Sequence, residues 1–276
     1  MSGRPRITAL LPAYMAEAFI GPTLRSLSAQ THEDFEVVVS VDLSEDDTHA
    51  VCVKHAAGDP RFRVFRQERR LAYVGNCNFL LDQARSDYAF FAFHDDLLEP
   101  TYVQKLGAAL DAHPEAVLAY SDMTVTSAGS DAVVHVYTGL EALRLRTRRG
   151  LKMLSRQGHW WVPNRGMFRM ERARRIGGLK THGAGEFSPD WPWLFHLSLL
   201  GTFVRVPEIL CHKFLMPSSL SKTWAYSPRQ YYEVSAACMR ELWNSELTTD
   251  EKLEVGVPLI GWLLKHRPPD GAAPQH

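Results

Sequence analysis

The sequence predicts an α/β fold in which helices flank a mostly parallel β-sheet. Short β-rich runs alternate with helical runs over the first hundred residues, which is the pattern of βαβ units. The run Phe35–Val41 is almost continuously apolar, as expected for a strand that is buried on both faces. At 276 residues, the chain can form one large domain, alone or with a smaller appended part.

The predicted strands and helices follow one another regularly up to residue 120. We expect strands at Ile7–Leu11, Phe35–Val41, Phe62–Phe65, Tyr88–Phe93 and Val117–Tyr120. We expect the intervening helices at Ile20–Ala29, Asp46–Ala57, Val74–Ala84 and Pro100–Ala112. In the first helix, Ile20, Leu24 and Leu27 recur at helical spacing on one face.

The regular alternation stops at Ser121. Beyond it we predict a turn at Ser127–Ser130, an edge strand at Val133–Tyr137, an Arg-rich helix at Leu140–Arg156, a strand at Asn164–Met170 and a helix at Glu171–Ile176. An amphipathic helix is predicted at Trp191–Leu200, closed by Gly201, and a helical segment begins near Tyr226. The Pro-rich end from Arg267 is expected to be frayed.

Composition narrows the class of protein. Lys+Arg and Asp+Glu both number 31, so the formal net charge is zero, and nucleic acid is not an expected partner. No stretch approaches about 18 uninterrupted apolar residues, and the N-terminal apolar stretch is too short for a signal peptide. The four cysteines show no C-x-x-C spacing, which fits a reducing cytoplasm.

Polar residues follow three of the predicted strands, where an open parallel sheet binds its ligands. They are Pro12, Tyr14 and Glu17 after the first strand, Asp42, Ser44, Asp46 and Asp47 after the second, and His94, Asp95 and Asp96 after the fourth. Converging carboxylates repel one another unless a cation or hydrogen-bond donors compensate. Their hard oxygens suit Mg²⁺ or Mn²⁺ shared with a ligand's phosphates.

These polar residues also have structural explanations. Asp46 and Asp47 stand where a helix favours acids at its N-terminus, and we expect them to act mainly as caps. Asp42 ends an apolar strand before any helix begins, and Asp95 follows a long apolar run, so both are interpreted as functional. His94 could contact a ligand or pack beneath the loop.

The order of these motifs resembles a known family. ALLPAYMAEAFIGPTLRSLSAQTHEDFEVVVSVDLSEDDT resembles the opening of family 2 glycosyltransferases of the GT-A fold, which has a mostly parallel, Rossmann-like sheet and a C-terminal acceptor-side region. FFAFHDDLLEP resembles the family's D-x-D segment with its trailing proline. NRGMFRMERARRIGGL and FSPDWPWLFHLSLLGTFVRVPE resemble its acceptor-side elements, so that the likeness spans roughly residues 7 to 222.

The resemblance implies roles for individual positions. Asp42 would hydrogen-bond the nucleobase, and Asp95 would hold Mg²⁺ or Mn²⁺ against the diphosphate. Asp190 would be the base that takes a proton from the acceptor hydroxyl, with inversion of the anomeric carbon. The remaining donor-site residues would be Pro12, Tyr14, Glu17, Asn76, His94 and Asp96.

The same resemblance implies a function and partners. The donor would be a nucleoside-diphosphate sugar, with uridine as the default base, and the acceptor a carbohydrate, a lipid-linked molecule or a small molecule in bacterial polysaccharide or glycoconjugate synthesis. Residues 1–121 would form the donor half, 122–225 the acceptor half with the base, and 226–276 a helical extension. The enzyme would work in the cytoplasm and reach any lipid-linked acceptor from the inner face of the membrane.

Three positions depart from the family's pattern. Phe93 stands where the first acid of the D-x-D motif is usual. Val41-Asp42-Leu43 stands where the family usually has Asp-Asp-Gly, which leaves one base-reading acid instead of two. Gly75 replaces the frequent Arg before Asn76, which weakens any inference about the nucleobase.

Several other residues have two explanations. Asp190 could simply cap the following helix. Each of Trp160, Trp161, Trp191 and Trp193 is more readily a core residue, but four together favour a carbohydrate-binding surface. Lys213 and Lys222 could meet the diphosphate or be solvated, and Arg69 and Arg70 are candidates for contacting the nucleotide.

Other classes of protein fit less well. A sugar nucleotidyltransferase would need a Gly-rich basic loop after the first strand, and a dehydrogenase would need G-x-G-x-x-G there. The segment PAYMAEAF provides neither. A catalytically silent nucleotide-sugar-binding module is favoured only by Phe93, whereas the three acids Asp42, Asp95 and Asp190 argue against it.

Overall fold

The computed structural model describes residues 5–216 and 219–265, which form nine strands and nine α-helices. The strands are β1 (Ile7–Ala13), β2 (Phe35–Val41), β3 (Phe62–Arg66), β4 (Tyr88–Phe91), β5 (Asp96–Leu98), β6 (Ala116–Ser127), β7 (Val133–His135), β8 (Met167–Arg169) and β9 (Thr202–Leu215). The helices are α1 (Ile20–Ser28), α2 (Thr48–Ala56), α3 (Ala72–Gln83), α4 (Tyr102–Ala112), α5 (Arg146–Leu154), α6 (Met170–Ile176), α7 (Asp190–Leu200), α8 (Pro228–Asn244) and α9 (Thr249–Lys265).

The strands form one sheet in the order β3-β2-β1-β4-β8-β6-β9-β5, with β7 paired to the far end of β6. The first four strands in this order are parallel. β8 lies antiparallel between β4 and β6, β9 is parallel to β6, and β5 is antiparallel to β9. The predicted α/β class is confirmed, and the sheet crosses the boundary proposed at residue 121.

The central strands are apolar because helices cover both faces of the sheet. Every residue of β1 is buried, and β2 is buried except for Glu36. Helix α1 buries the face that carries Ile20, Thr23, Leu24 and Leu27. This burial explains why the strands show continuous apolar runs rather than alternation, and it leaves the loops after their carboxyl ends free to carry polar residues.

Strand β9 was not predicted, and its sequence explains why. The segment contains Pro207, which cannot donate to a β-ladder. The pairing register jumps there, from Val206 opposite Ser121 to Ile209 opposite Asp122. The strand therefore passes Pro207 through a bulge and resumes. Beyond the bulge it brings Lys213 opposite Asp96 of β5.

Two helices differ from their predictions. Helix α7 buries nine of its eleven residues, so the predicted amphipathic character is wrong; α5, α6 and α8 pack around it. The Arg-rich helix is also shorter than predicted, since α5 begins only at Arg146. Arg149 is buried and donates hydrogen bonds to the carbonyls of Ser198 and Arg144 at 2.8 and 2.7 Å, which explains how a basic segment can pack inside the protein.

The C-terminal helices pack against α7 and α5. Ser227 and Gln230 form a capping box that fixes the start of α8. Among the described residues, no helix is both long and apolar enough to cross a bilayer. The expectation about the end from Arg267 lies outside the described residues.

Gly166 allows the backbone just before β8 to approach the backbone of β6 closely. A Cβ atom added there would lie 2.7 Å from the Ala119 carbonyl oxygen and 2.9 Å from the Pro163 carbonyl oxygen. We therefore expect Gly166→Ala to lower the free energy of unfolding by about 1–3 kcal/mol, measured by urea denaturation. Gly261→Ala in α9 is the control, because its Cβ would meet no atom within 4 Å. Equal effects of the two variants would contradict this expectation.

Candidate active site

Asp42 lies buried at the carboxyl end of β2, and both of its carboxylate oxygens contact donors on the segment that follows β3. Its Oδ1 accepts the backbone N–H of Leu71 at 2.8 Å, and its Oδ2 pairs with the Arg70 guanidinium. Arg70 in turn lies 3.3 Å from the centroid of the Tyr14 ring. Tyr14 and Arg70 are both exposed. The two side chains thus form an open planar stack above a buried carboxylate.

Two segments near Asp42 have strained backbone, the loop after β1 and the start of α3. Met15 and Ala72 have φ values of 47° and 58°, in the left-handed region that non-glycine residues rarely adopt. The Met15 N–H donates to the Ser44 hydroxyl at 3.1 Å. Such strain persists only where the surroundings impose it, and it is common at ligand sites.

Glu17 and Asp46 join the loop after β1 to the loop after β2. The Glu17 N–H donates to Asp46 Oδ2 at 3.0 Å, and the Asp47 N–H donates to Glu17 Oε2 at 3.1 Å. Asp46 also accepts the N–H of Thr48 at 3.2 Å. The caps predicted for Asp46 and Asp47 are therefore supplied by Asp46, since Asp47 makes no side-chain cap. Glu17 therefore ties the loop after β1 to the loop after β2, beside the proposed nucleoside site.

Asp95 and Asp96 lie beside the ammonium group of Lys213. Lys213 Nζ is 3.2 Å from Asp95 Oδ2 and 3.7 Å from Asp96 Oδ1. The Ser219 hydroxyl also donates to Asp95 Oδ2 at 3.2 Å. Burial raises the pKa of Asp95, but the positive charge of Lys213 and of neighbouring groups outweighs it and leaves the pKa below its ordinary value. Asp95 is therefore ionised at neutral pH.

Arg165 is the second cation of this cluster, and no role was predicted for it from the sequence. Its Nε donates to Asp96 Oδ2 at 2.9 Å. Burial lowers the pKa of Arg165, but the negative charge of Asp96 and of other nearby groups raises it by more. The net pKa lies above the ordinary value, so the guanidinium stays charged. The guanidinium carbon lies 4.5 Å from the centroid of the Phe93 ring. Phe93, at the position where an acid is usual, therefore supports Arg165 as an aromatic platform.

Asp190 begins helix α7, and the charges of the same two cations act on it. Burial raises its pKa, while the charges of Arg165 and Lys213 lower it; the net pKa lies above the ordinary value of an aspartate. Its charge also raises the pKa of Tyr73, at the start of α3. Tyr73 lies 6.2 Å from Phe93, centroid to centroid. Asp190 is thus brought to the same region as Asp95 and Asp96.

The chain between residues 70 and 74 links Asp42 to that region. Arg70 and Leu71 contact Asp42, and Tyr73 follows two residues later beside Asp190 and Phe93. All the acids singled out in the sequence therefore lie along one edge of the sheet. The stack of Tyr14 and Arg70 stands at one end and Asp190 at the other.

The other predicted donor-site residues make contacts within the protein. His94 Nδ1 lies 3.0 Å from the Pro12 carbonyl oxygen, and its ring packs 5.4 Å from Phe19. Asn76 donates through Nδ2 to the Ser40 carbonyl at 3.0 Å, and its buried Oδ1 has no hydrogen-bond partner. Pro12 and His94 thus join the ends of β1 and β4.

Two of the four tryptophans do not belong to the surface that the sequence suggested. Trp191 and Trp193 are only 2% and 3% exposed, and the Trp191 indole N–H donates to the Met153 carbonyl at 3.1 Å. They are core residues, whereas Trp160 and Trp161 are half-buried and pack against the core. The alternation of apolar residues along a helix cannot distinguish a helix buried all round from one that presents aromatic rings to a ligand.

The carboxylates offer an incomplete metal site. Among the described residues, no group of three or more His, Cys, Asp or Glu side chains could hold a metal ion. However, Asp96 Oδ1 is buried without a hydrogen-bond partner, next to Asp95. Two carboxylates suit Mg²⁺ or Mn²⁺ when the ligand's phosphates supply further oxygens. The residues therefore fit a cation that is shared with a bound diphosphate.

Solved structures with the same architecture are glycosyltransferases. The structure of S. aureus TarS residues 1–349 with UDP-GlcNAc superposes with a TM-score of 0.73 at 17% identity, over 94% of this chain and 73% of that one. The mannosyltransferase PcManGT from Pyrobaculum calidifontis, with GDP-Man and Mn²⁺, gives 0.62 at 15% identity, over 96% and 74%. The fold is the GT-A fold of glycosyltransferases.

Residues 8–172 match the family described as glycosyl transferase family 2, and the chain belongs to this family. It is 32% identical over 120 residues to an uncharacterized protein of Sinorhizobium fredii, covering 43% of this chain and 13% of that protein. It is 30% identical over 187 residues to an uncharacterized protein of Mycobacterium tuberculosis, covering 64% and 58%. The chain therefore spans less than two thirds of the length of either relative.

Proposed function

We propose that this protein transfers a sugar from a nucleoside-diphosphate sugar to an acceptor hydroxyl, with inversion of the anomeric carbon. The observation that carries the proposal is the pair of cations, Arg165 and Lys213, which form ion pairs with Asp96 and Asp95 and whose charges also act on Asp190. A charged, partly buried cluster of this kind suits a diphosphate, and an aspartate of raised pKa beside it suits a base.

The donor is proposed to lie along the edge from Tyr14 to Asp190. The exposed stack of Tyr14 on Arg70 offers a face for a nucleobase, and Asp42 lies beneath it as a hydrogen-bond acceptor. The complexes of TarS with UDP-GlcNAc and of PcManGT with GDP-Man support a nucleotide-sugar donor. We take uridine as the base to be tested first, because TarS is the neighbour of higher TM-score.

Asp95, together with the Asp96 Oδ1 that accepts no hydrogen bond, would hold Mg²⁺ or Mn²⁺ at the diphosphate. The cation would neutralise negative charge on the departing diphosphate. Lys213 and Arg165 contribute fixed positive charge at the same place. Asp190 would accept the proton of the acceptor hydroxyl as that oxygen attacks the sugar, and its raised pKa makes it a better base than an ordinary aspartate.

The acceptor and the setting are proposed more broadly. The GalNAc(5)-diNAcBac-PP-undecaprenol beta-1,3-glucosyltransferase of Campylobacter jejuni is 30% identical over 95 residues, which cover 34% of this chain and 31% of that enzyme. This likeness supports a role in assembling bacterial polysaccharide or glycoconjugate. Work in the cytoplasm, at the inner face of the membrane, would suit such an acceptor.

Nucleotide binding tests the proposed function directly. We expect calorimetry to detect binding of UDP to the wild-type protein, and Asp42→Ala to weaken it about tenfold or more, because the variant removes the acceptor beneath the nucleobase. Asp131→Asn is the control, since Asp131 is an exposed acid in the loop between β6 and β7, and β6 lies four strands away from β2 in the sheet. A panel of nucleotide sugars, scored for hydrolysis, would then identify the donor.

Three outcomes would count against the proposal in different ways. If neither UDP nor GDP binds, the assignment of a nucleotide-sugar donor is wrong. Equal weakening by the Asp42 and Asp131 substitutions would remove Asp42 from the site. Tight binding without turnover of any donor would favour the catalytically silent module.

A further inference from the structure

Four aromatic side chains form a cluster next to Asp190. Phe187 is buried at its centre, and the rings of Trp224, Tyr226 and Tyr231 stand edge-on to it at centroid distances of 5.2, 5.8 and 5.3 Å. Trp224 and Tyr226 also meet edge-on at 6.0 Å. We call these four residues the aromatic cluster. Phe187 is only three residues before Asp190, so the cluster and the carboxylate belong to the same wall.

Tyr226 is the exposed member of the aromatic cluster. Its side chain is 51% exposed, although apolar rings that merely fill a core are usually covered. Its backbone adopts a φ of 51°, which is strained for a residue with a side chain. Its hydroxyl donates to the Ser221 carbonyl at 3.1 Å, and Ser227 beside it is the N-cap of α8. The exposed ring is therefore held in place rather than left free.

The segment that carries Trp224 and Tyr226 also reaches the donor side. Ser219, near its start, donates to Asp95 Oδ2 at 3.2 Å. At its other end, burial raises the pKa of Tyr226, and the negative charge of Asp190 contributes to the rise. The segment thus runs from the carboxylate proposed to hold the diphosphate to the proposed base. A ligand that packs on the Tyr226 ring would therefore lie on the same side of the site as Asp190.

We propose that Trp224 and Tyr226 form the acceptor subsite and bind the apolar face of a sugar ring, so that the acceptor is a carbohydrate whose attacking hydroxyl points to Asp190. This inference rests on the proposed function. A pyranose ring presents C–H groups on one face and hydroxyls on its edge. Aromatic faces bury the first, while the phenol hydroxyl and the indole N–H can meet the second. A purely hydrocarbon ligand would present no hydroxyl to Asp190, which the proposed function requires.

The test uses defined saccharides and the full-length protein saturated with UDP. The probes are maltose, cellobiose, lactose and chitobiose, with farnesyl phosphate as the lipid alternative, and binding is followed by ligand-observed saturation-transfer NMR. We expect at least one disaccharide to bind. Tyr226→Ala and Trp224→Ala should each raise its Kd about tenfold, and Tyr226→Phe, which keeps the ring, should stay within about threefold of the wild type.

Matched controls separate this proposal from the proposed function. Trp243→Ala removes another exposed aromatic ring, on α8, and should change neither saccharide nor UDP binding. All variants should bind UDP as the wild type does and should unfold at the same temperature. If UDP fails to bind the wild type, the proposed function itself is wrong. If UDP binds but no saccharide does, if farnesyl phosphate alone binds, or if Tyr226→Ala leaves the disaccharide Kd unchanged, the acceptor subsite is wrong and the proposed function stands.

Discussion

Asp190→Asn is expected to lower kcat about 10³-fold while leaving the Kd of the nucleotide unchanged. The substitution keeps the size and the position of the side chain at the start of α7, but an amide cannot accept the acceptor's proton at neutral pH. General-base groups contribute about 10²–10⁴-fold to the rate. The raised pKa of Asp190 makes it a stronger base than an ordinary aspartate, so we expect a loss within that range. Steady-state kinetics with the identified donor, and calorimetry with UDP, provide the two measurements.

The pH profile is the control for this role. A base must be ionised to act, so kcat/KM should fall as the pH drops through the pKa of Asp190. That pKa lies above the ordinary aspartate value, so the acid limb should begin at a higher pH than it would for an unperturbed carboxylate. Asp131→Asn should leave both rate and profile unchanged. If Asp190→Asn retains wild-type turnover, another group is the base.

Asp95→Ala is expected to abolish the effect of Mn²⁺ on nucleotide binding and to lower kcat at least about 100-fold. In the wild type, Mn²⁺ should strengthen the binding of UDP, because Asp95 would hold a cation that neutralises charge on the diphosphate. The variant removes that carboxylate and also leaves the Lys213 ammonium with only the more distant Asp96 as an ionic partner. Calorimetric titrations of UDP with Mn²⁺ and with a chelator, on both proteins, make the comparison.

Ser219→Ala is the matched control for Asp95→Ala. It deletes one hydrogen bond to the same oxygen, at 3.2 Å, but keeps the carboxylate, so its effect on UDP binding should stay within about tenfold and its response to Mn²⁺ should persist. If UDP binds the wild type equally well with Mn²⁺ and with the chelator, Asp95 does not hold a metal in the nucleotide complex. The charge on the diphosphate would then be met by Lys213 and Arg165.

The sequence predicted the first hundred residues well because their signals are local. Strands β1 to β4 and helices α1 to α4 each show their own apolar run or helical spacing, and their bounds differ from the predictions by only a few residues. Strand β9 has no such signal, since Pro207 interrupts it and its partners are distant in the chain. Pairing between distant strands decides where β5 and β9 lie, and no local pattern records it.

Site residues with a local sequence signal were likewise predicted, and those that depend on contacts between distant segments were missed. Asp42 and Asp95 could be found because each follows an apolar strand, and Asp190 because it begins a helix within a recognisable motif. Arg165 could not be assigned, because its neighbours in sequence do not indicate that it faces Asp96 and Phe93. The aromatic cluster was missed for a related reason. Its rings come from the loop before α7, the loop after β9 and helix α8, and only the folded chain assembles them.

The positive charges around Asp95 are fully matched by carboxylates, which has a consequence for how a substrate would arrive. Three carboxylates, Asp95, Asp96 and Asp190, surround two cations, Arg165 and Lys213, so the cluster has no surplus positive field with which to attract a polyanion from solution. Long-range steering, which raises association rates at low ionic strength, should therefore be weak for the bare nucleotide. Nucleotide and divalent ion are expected to enter as a preformed complex, with an association rate that depends little on salt.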